Sequence, residues 1–112
     1  MTDSILTTIK KLLGIEADYT AFDMDIIVHI NSVFNVLQQL GVGPTFSIED
    51  ASSTWDDYTT NADVNMVKTY IYMKVKMMFD PPLSSVSAEA YNSNIKELEW
   101  RLNVAVDPGE AE

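Results

Sequence analysis

The sequence predicts an all-α fold, a small bundle of about four helices with a long irregular loop between the second and third. Three observations lead there. Apolar residues recur at three- and four-residue spacing in four separate segments. Glycines and prolines fall between those segments rather than inside them. The one long stretch without that period, Val42 to Asn61, offers only a short extended piece at Phe46 and Ile48. A chain of 112 residues makes one domain and can bury a core without cross-links.

The first helix is expected over Ile5 to Leu13. Asp3 or Ser4 can cap it, Ile5, Ile9, Leu12 and Leu13 share one face, and Gly14 stops it. Glu16 to Thr20 then reads as a polar connector. The second helix runs from about Asp23 to Leu40, with Asp23 and Asp25 complementing its N-terminal dipole. Ile26, Ile30, Val33, Leu37 and Leu40 form its stripe, widened by Ile27 and Phe34, and Gly41 ends it.

Val42 to Asn61 loses the helical period. Gly43-Pro44 marks a turn, Phe46 and Ile48 alternate with polar neighbours as in a short extended piece, and Asp50 to Tyr58 has room for one irregular helical turn. A loop of this length in a compact domain is usually functional or mobile. It carries Trp55 and Tyr58, aromatics that belong equally to a core or to an interface.

The third helix, capped by Asn61 or Asp63 and ending at Phe79, bears two apolar stripes. Val64, Val67, Ile71, Val75 and Met78 make the first; Met66, Tyr70, Met73 and Met77 make the second. One stripe faces the chain's own core. The second is covered by the other helices if this one is central, or else by a partner. Asp80-Pro81-Pro82 ends the helix, because proline lacks the amide donor and restricts the residue before it. The last helix starts at Ser84, Ser85 or Ser87 and runs to about Val104. Tyr91, Ile95, Leu98 and Leu102 form its buried face, Lys96, Glu97, Glu99 and Arg101 are solvated, and Trp100 stands off the stripe. Residues 1–104 form the domain, and an acidic tail over 105–112 is expected to be disordered.

The formal net charge is −10, and no Lys or Arg stands between Lys11 and Lys68. That interval holds Glu16, Asp18, Asp23, Asp25, Glu49, Asp50, Asp56, Asp57 and Asp63. Such a surface repels a phosphate backbone, which argues against tight nucleic-acid binding. It suits either solubility or a surface that faces DNA without holding it. Met1 to Lys11 lacks the basic start and apolar run of a secretory signal, and no stretch approaches the ~20 apolar residues of a membrane span. The expectation is a soluble, intracellular protein.

Site chemistry is scarce. There is no cysteine and one histidine, so neither a disulfide framework nor a two-histidine metal site can form. His29 lies mid-helix among apolar neighbours. No Gly-rich phosphate loop is present. The Asp56-Asp57 pair lacks the remaining ligands of a calcium loop. No catalytic, cofactor-binding or metal site is expected, and the chain reads as a non-enzyme.

Val67-Lys68-Thr69-Tyr70-Ile71-Tyr72-Met73-Lys74-Val75-Lys76, Phe79-Asp80-Pro81-Pro82 with Ser84-Ser85, and Ile95-Lys96-Glu97-Leu98-Glu99-Trp100-Arg101-Leu102-Asn103 together resemble the head–tail connector (adaptor) proteins of long-tailed bacteriophages and prophages. Leu40-Gly41-Val42-Gly43-Pro44 and Thr54-Trp55-Asp56-Asp57-Tyr58 extend the resemblance, which covers about Ile26 to Val104. It implies a small helical protein that assembles as a ring beneath the portal, extends the DNA channel and offers a docking surface to later neck or tail-completion proteins. The partners implied are further copies of itself, the portal protein, a neck protein and passing DNA without specific binding, with no membrane and no cofactor. Its place would be the virion head–tail junction, and the host cytoplasm during assembly. Surplus apolar surface suits subunit packing, and an acidic half suits a channel wall.

On this reading Trp55, Tyr58, Tyr70, Met73, Met77 and Trp100 are expected at the subunit or portal contact. Asp56, Asp57 and Asp63 are expected to face the channel. Polar substitution of Trp55 and Met73 should then spare folding and block assembly. The rival from another class is a small acidic regulator, such as a DNA-mimic inhibitor of a host nucleic-acid enzyme. Charge and size fit it; the strongly apolar third helix fits it less well. A soluble enzyme subunit is disfavoured by the missing site chemistry.

Overall fold

Helix α4 (Val64–Phe79) is the axis of the molecule, with α1 (Ile5–Leu13), α2 (Asp23–Gln39) and α5 (Ser85–Val106) all packed against it. A single turn, α3 (Trp55–Tyr58), interrupts the loop between α2 and α4. The computed structural model describes residues 4–42, 45–58 and 64–106, with side chains as far as Asn103. The Gly43-Pro44 turn, the Asn61 or Asp63 cap and the acidic tail beyond Val106 lie outside the described residues. The expected bundle is therefore present, with the irregular turn inside the loop being α3. Among the described residues there is no strand, only an isolated antiparallel bridge between Ser4 and Thr54. No helix among them is long and apolar enough to cross a membrane.

Local signals explain the helix ends. Ser4 Oγ accepts the amide of Thr7 at 3.2 Å, a side-chain cap for one of the first-turn donors. Gly14 takes a left-handed φ of 86°, and the amide of Ile15 closes back onto the Lys10 carbonyl at 2.8 Å. A side chain at Gly14 would meet no neighbour; the backbone angle alone favours glycine there. Gly41, at φ 83°, ends α2 similarly, and Val42 N–H returns to the Leu37 carbonyl at 2.8 Å. Of the three serines that could start the last helix, Ser84 is the cap, its Oγ accepting the Ser87 amide at 3.0 Å.

The core comes from both sides of α4. Val67, Ile71 and Val75 of its first stripe are buried with Ile5, Leu6 and Ile9 of α1 and with Ile26, Ile30, Val33, Phe34 and Leu37 of α2. The second stripe is covered by the chain itself. Tyr70 and Met73 are buried, and Met66 and Met77 are half-buried against the core. Helix α5 supplies the cover: Ile95 and Leu102 are buried, with Leu98 and Tyr91 packed beside them. Two side-chain bonds fasten it, Tyr70 Oη donating to Glu99 Oε2 at 2.7 Å and the Tyr72 and Tyr91 hydroxyls meeting at 3.2 Å. Glu99, expected on the solvated face, is thus drawn inward by the tyrosine. The edges of two stripes are open instead: Leu12 and Met78, expected on buried faces, are 48% and 44% exposed.

The long loop is stitched to the bundle rather than free of it. The Asn31 side chain accepts the Ile48 amide at 2.8 Å and donates to the Ile48 carbonyl at 3.0 Å. It replaces a strand partner for Ile48, which is buried. Ile5 N–H donates to Ser53 O at 3.0 Å. Trp55 Nε1 donates to Thr8 Oγ1 at 3.1 Å, and Tyr58 Oη donates to Val42 O at 3.3 Å. The rings of Phe34, Phe46 and Tyr58 form a mutual cluster with centroids 4.8 to 5.4 Å apart, a geometry that adds to simple burial.

Candidate functional site

The candidate site is sought on the apolar and charged surface that the bundle leaves uncovered among the described residues. Four of the six aromatic and methionine residues expected at a contact are largely buried within the chain. Trp55 is 2% exposed, Tyr58 4%, Tyr70 0% and Met73 9%. Each also has a role inside the chain, described above. Their surplus apolar area is absorbed because α4 is central and the loop folds back over α1 and α2. A polar substitution at Trp55 or Met73 would therefore damage the fold itself, contrary to the expectation that folding would be spared. Met77 is half-buried, and Trp100 stands out at 67% exposed.

Burial also moves the tyrosine pKa values. Burial and the Glu99 carboxylate push the Tyr70 phenol well above its usual range. The hydrogen bond to Tyr91, then burial, push Tyr72 up to about 12. Burial alone raises Tyr58. All three phenols stay protonated at neutral pH and serve as hydrogen-bonding struts.

The acidic residues behave differently. Asp56 and Asp57 are exposed at the start of α3. Asp57 also supports the local backbone. Its carboxylate accepts the Thr54 amide at 2.9 Å while its own amide reaches Thr54 Oγ1 at 3.4 Å. This reciprocal pair is a capping box. Asp63 lies outside the described residues. Glu49 and Asp50 extend the exposed acidic surface of the loop. Hydrogen bonds from the Ser52 hydroxyl and amide hold the Asp50 carboxyl below its usual range. Among the described residues no three His, Asp or Glu side chains gather closely enough to hold a metal ion.

One exposed aromatic feature carries no signal in the sequence pattern. Tyr19 and Phe22, in the α1–α2 connector, are 51% and 40% exposed. Their rings are 5.7 Å apart, and Phe22 meets Phe79 at the end of α4 edge-on at 5.3 Å. His29 closes the row 6.5 Å from Phe79. The row is held in place by Lys10, whose ammonium is buried at 2% exposure. Lys10 Nζ donates to Ala17 O at 3.0 Å and Tyr19 O at 2.7 Å and lies 2.7 Å from Asp23 Oδ1. That last contact is between charges rather than an aligned hydrogen bond, since Asp23 Oδ1 accepts none. The lysine thus fixes the connector against the N-terminus of α2 and turns Tyr19 and Phe22 outward.

A shallow groove of about 390 Å³ runs between α4 and α5, lined by Met66, Thr69, Met73, Asn94, Glu97, Leu98 and Arg101. It is what remains of the second stripe after α5 has docked. The Glu97–Arg101 pair expected from spacing is present at 2.7 Å on its rim.

Comparison with known proteins adds one finding. The family model described as Phage connector protein matches residues 5–109. No curated protein and no solved structure matches the chain. The match spans every helix of the bundle, and so the chain belongs to the phage head–tail connector family, a family of structural proteins.

Proposed function

We propose that the chain docks as a ring beneath the portal, extends the DNA channel, and bridges the capsid to the neck or tail-completion proteins that arrive later. The family match across residues 5–109 carries this reading. The surface supports it. A small bundle that covers its own core still leaves an aromatic row and Trp100 exposed, which is the kind of surface that joins proteins rather than holds a substrate. Contact residues come from that exposed set, with Trp100 and the half-buried Met77 the reachable members of the anchors expected from sequence. Asp56 and Asp57 line the path of the DNA, where repulsion keeps the phosphate backbone from sticking.

Deletion of the gene from its phage tests this. Heads should fill and fail to join tails, and supplying the chain in trans should restore joining. Normal joined particles without the chain would remove the bridging role. Capture of the chain by a basic nucleic-acid enzyme, released by added DNA, would point to a DNA-mimic inhibitor instead.

A further inference from the structure

The aromatic row and Trp100 are two different surfaces with matching chemistry. The row (Tyr19, Phe22 and Phe79) has Asp18 next to Tyr19 in the connector and Asp25 in the first turn of α2, both exposed. Asp25 lies one turn beyond Phe22 and one turn before His29, so it shares their side of α2. Among the described residues neither Asp18 nor Asp25 has an ion pair. This is an apolar patch with an acidic border.

The cations of the chain are nearly all committed. Lys10 pairs with Asp23, Lys76 with Asp80 and Arg101 with Glu97. Lys68 and Lys74 lie over the rings of Trp55 and Tyr70, at 5.3 and 6.0 Å. Among the described residues Lys11 and Lys96 remain. Lys96 stands one helical turn before Trp100 on the outer face of α5, so the two side chains lie together. The exposed tryptophan and an uncommitted ammonium form a unit that complements an aromatic patch with an acidic border.

Trp100 stands at a different level of the bundle from the patch of its own copy. Tyr70 of α4 meets Glu99 of α5, next to Trp100, whereas the patch lies at Phe79. Nine residues of helix separate the two levels, roughly 14 Å along the bundle. A second copy can bridge them. We propose that the Lys96–Trp100 face of one copy seats on the Tyr19–Phe22–Phe79 patch of the next, with Lys96 set against Asp25. The contact is heterologous, the type that closes into a ring when the rotation between copies suits. The inference rests on the ring reading and names its subunit contact. Apolar area supplies the adhesion, and the charge pair sets the orientation.

The absence of cysteine allows a direct test on portal-bearing heads. Asp25→Cys and Lys96→Cys chains are mixed, bound to heads and mildly oxidised. The expected product is a mixed dimer, absent from either variant alone. A chain carrying both cysteines should give a ladder. Ser32→Cys mixed with Glu89→Cys, two exposed positions elsewhere, gives the background. Trp100→Ala should lower the ladder at least tenfold, and Asp25→Lys should abolish uptake that Asp25→Lys combined with Lys96→Asp restores. Circular dichroism confirms that each variant is folded. Uptake as a ring with mixed-dimer yield at background overturns this contact and leaves the ring reading standing. Heads that take up no wild-type chain overturn both.

Discussion

Lys10 and Asp23 form a salt bridge at 2.7 Å across the two ends of the α1–α2 connector, with the ammonium 2% and the carboxylate 27% exposed. Helix α1 therefore ends on a buried charge whose remaining donors are taken by the Ala17 and Tyr19 carbonyls. Removing one partner strands the other. Lys10→Met should cost about 2–4 kcal/mol, below the usual figure for a fully buried pair because Asp23 keeps some solvent. Urea denaturation reads this as a lowered midpoint at unchanged slope. An unchanged midpoint would mean the contact contributes nothing.

The two tryptophans should behave oppositely. Trp55 is buried and its indole N–H is bonded to Thr8, so Trp55→Ala should destabilise by about 3–5 kcal/mol. Trp100 is 67% exposed, and Trp100→Ala should stay within about 0.5 kcal/mol of wild type. Thermal melts of the two variants compare them directly. A large loss at Trp100 would place it in the core.

Alkaline pH should loosen the junction of α4 and α5. The folded-state pKa of Tyr72 is raised from 10.0 to about 12, and Tyr58 and Tyr70 are raised too. A group with a raised folded pKa binds more protons folded than unfolded over the interval. Its stabilisation is complete below pH 10 and is lost as pH climbs through the folded value. Melting temperature should hold from pH 7 to 9 and fall between about pH 10 and 12. Tyr72→Phe should make that fall shallower. An equal fall in the variant would assign it to overall charge repulsion.

The helices were legible because each combines a clean period with strong punctuation: Ser4 and Gly14 around α1, Gly41 after α2, Pro81-Pro82 after α4. What sequence could not reveal is which side of each helix would find a neighbour. The second stripe of α4 invited a partner, yet α5 covers it, because centrality depends on how four helices stack rather than on any one of them. Tyr70 and Glu99 illustrate the point: twenty-nine residues apart, they share a bond that no local pattern announces. Lys10 resembles an ordinary basic residue at a helix end. Only the connector folding back over it makes it buried, and only that exposes Tyr19 and Phe22. Asn31 is similarly silent until Ile48 is laid beside it. Long-range polar pairs carry no periodicity, and here they decide what the surface shows.

Imaging of portal-bearing heads with and without the purified chain tests the connector role most directly. The expected result is a ring of added density beneath the portal, coaxial with the DNA exit, only when the chain is present. Identical images from the two samples, with the chain left in the supernatant, would contradict it.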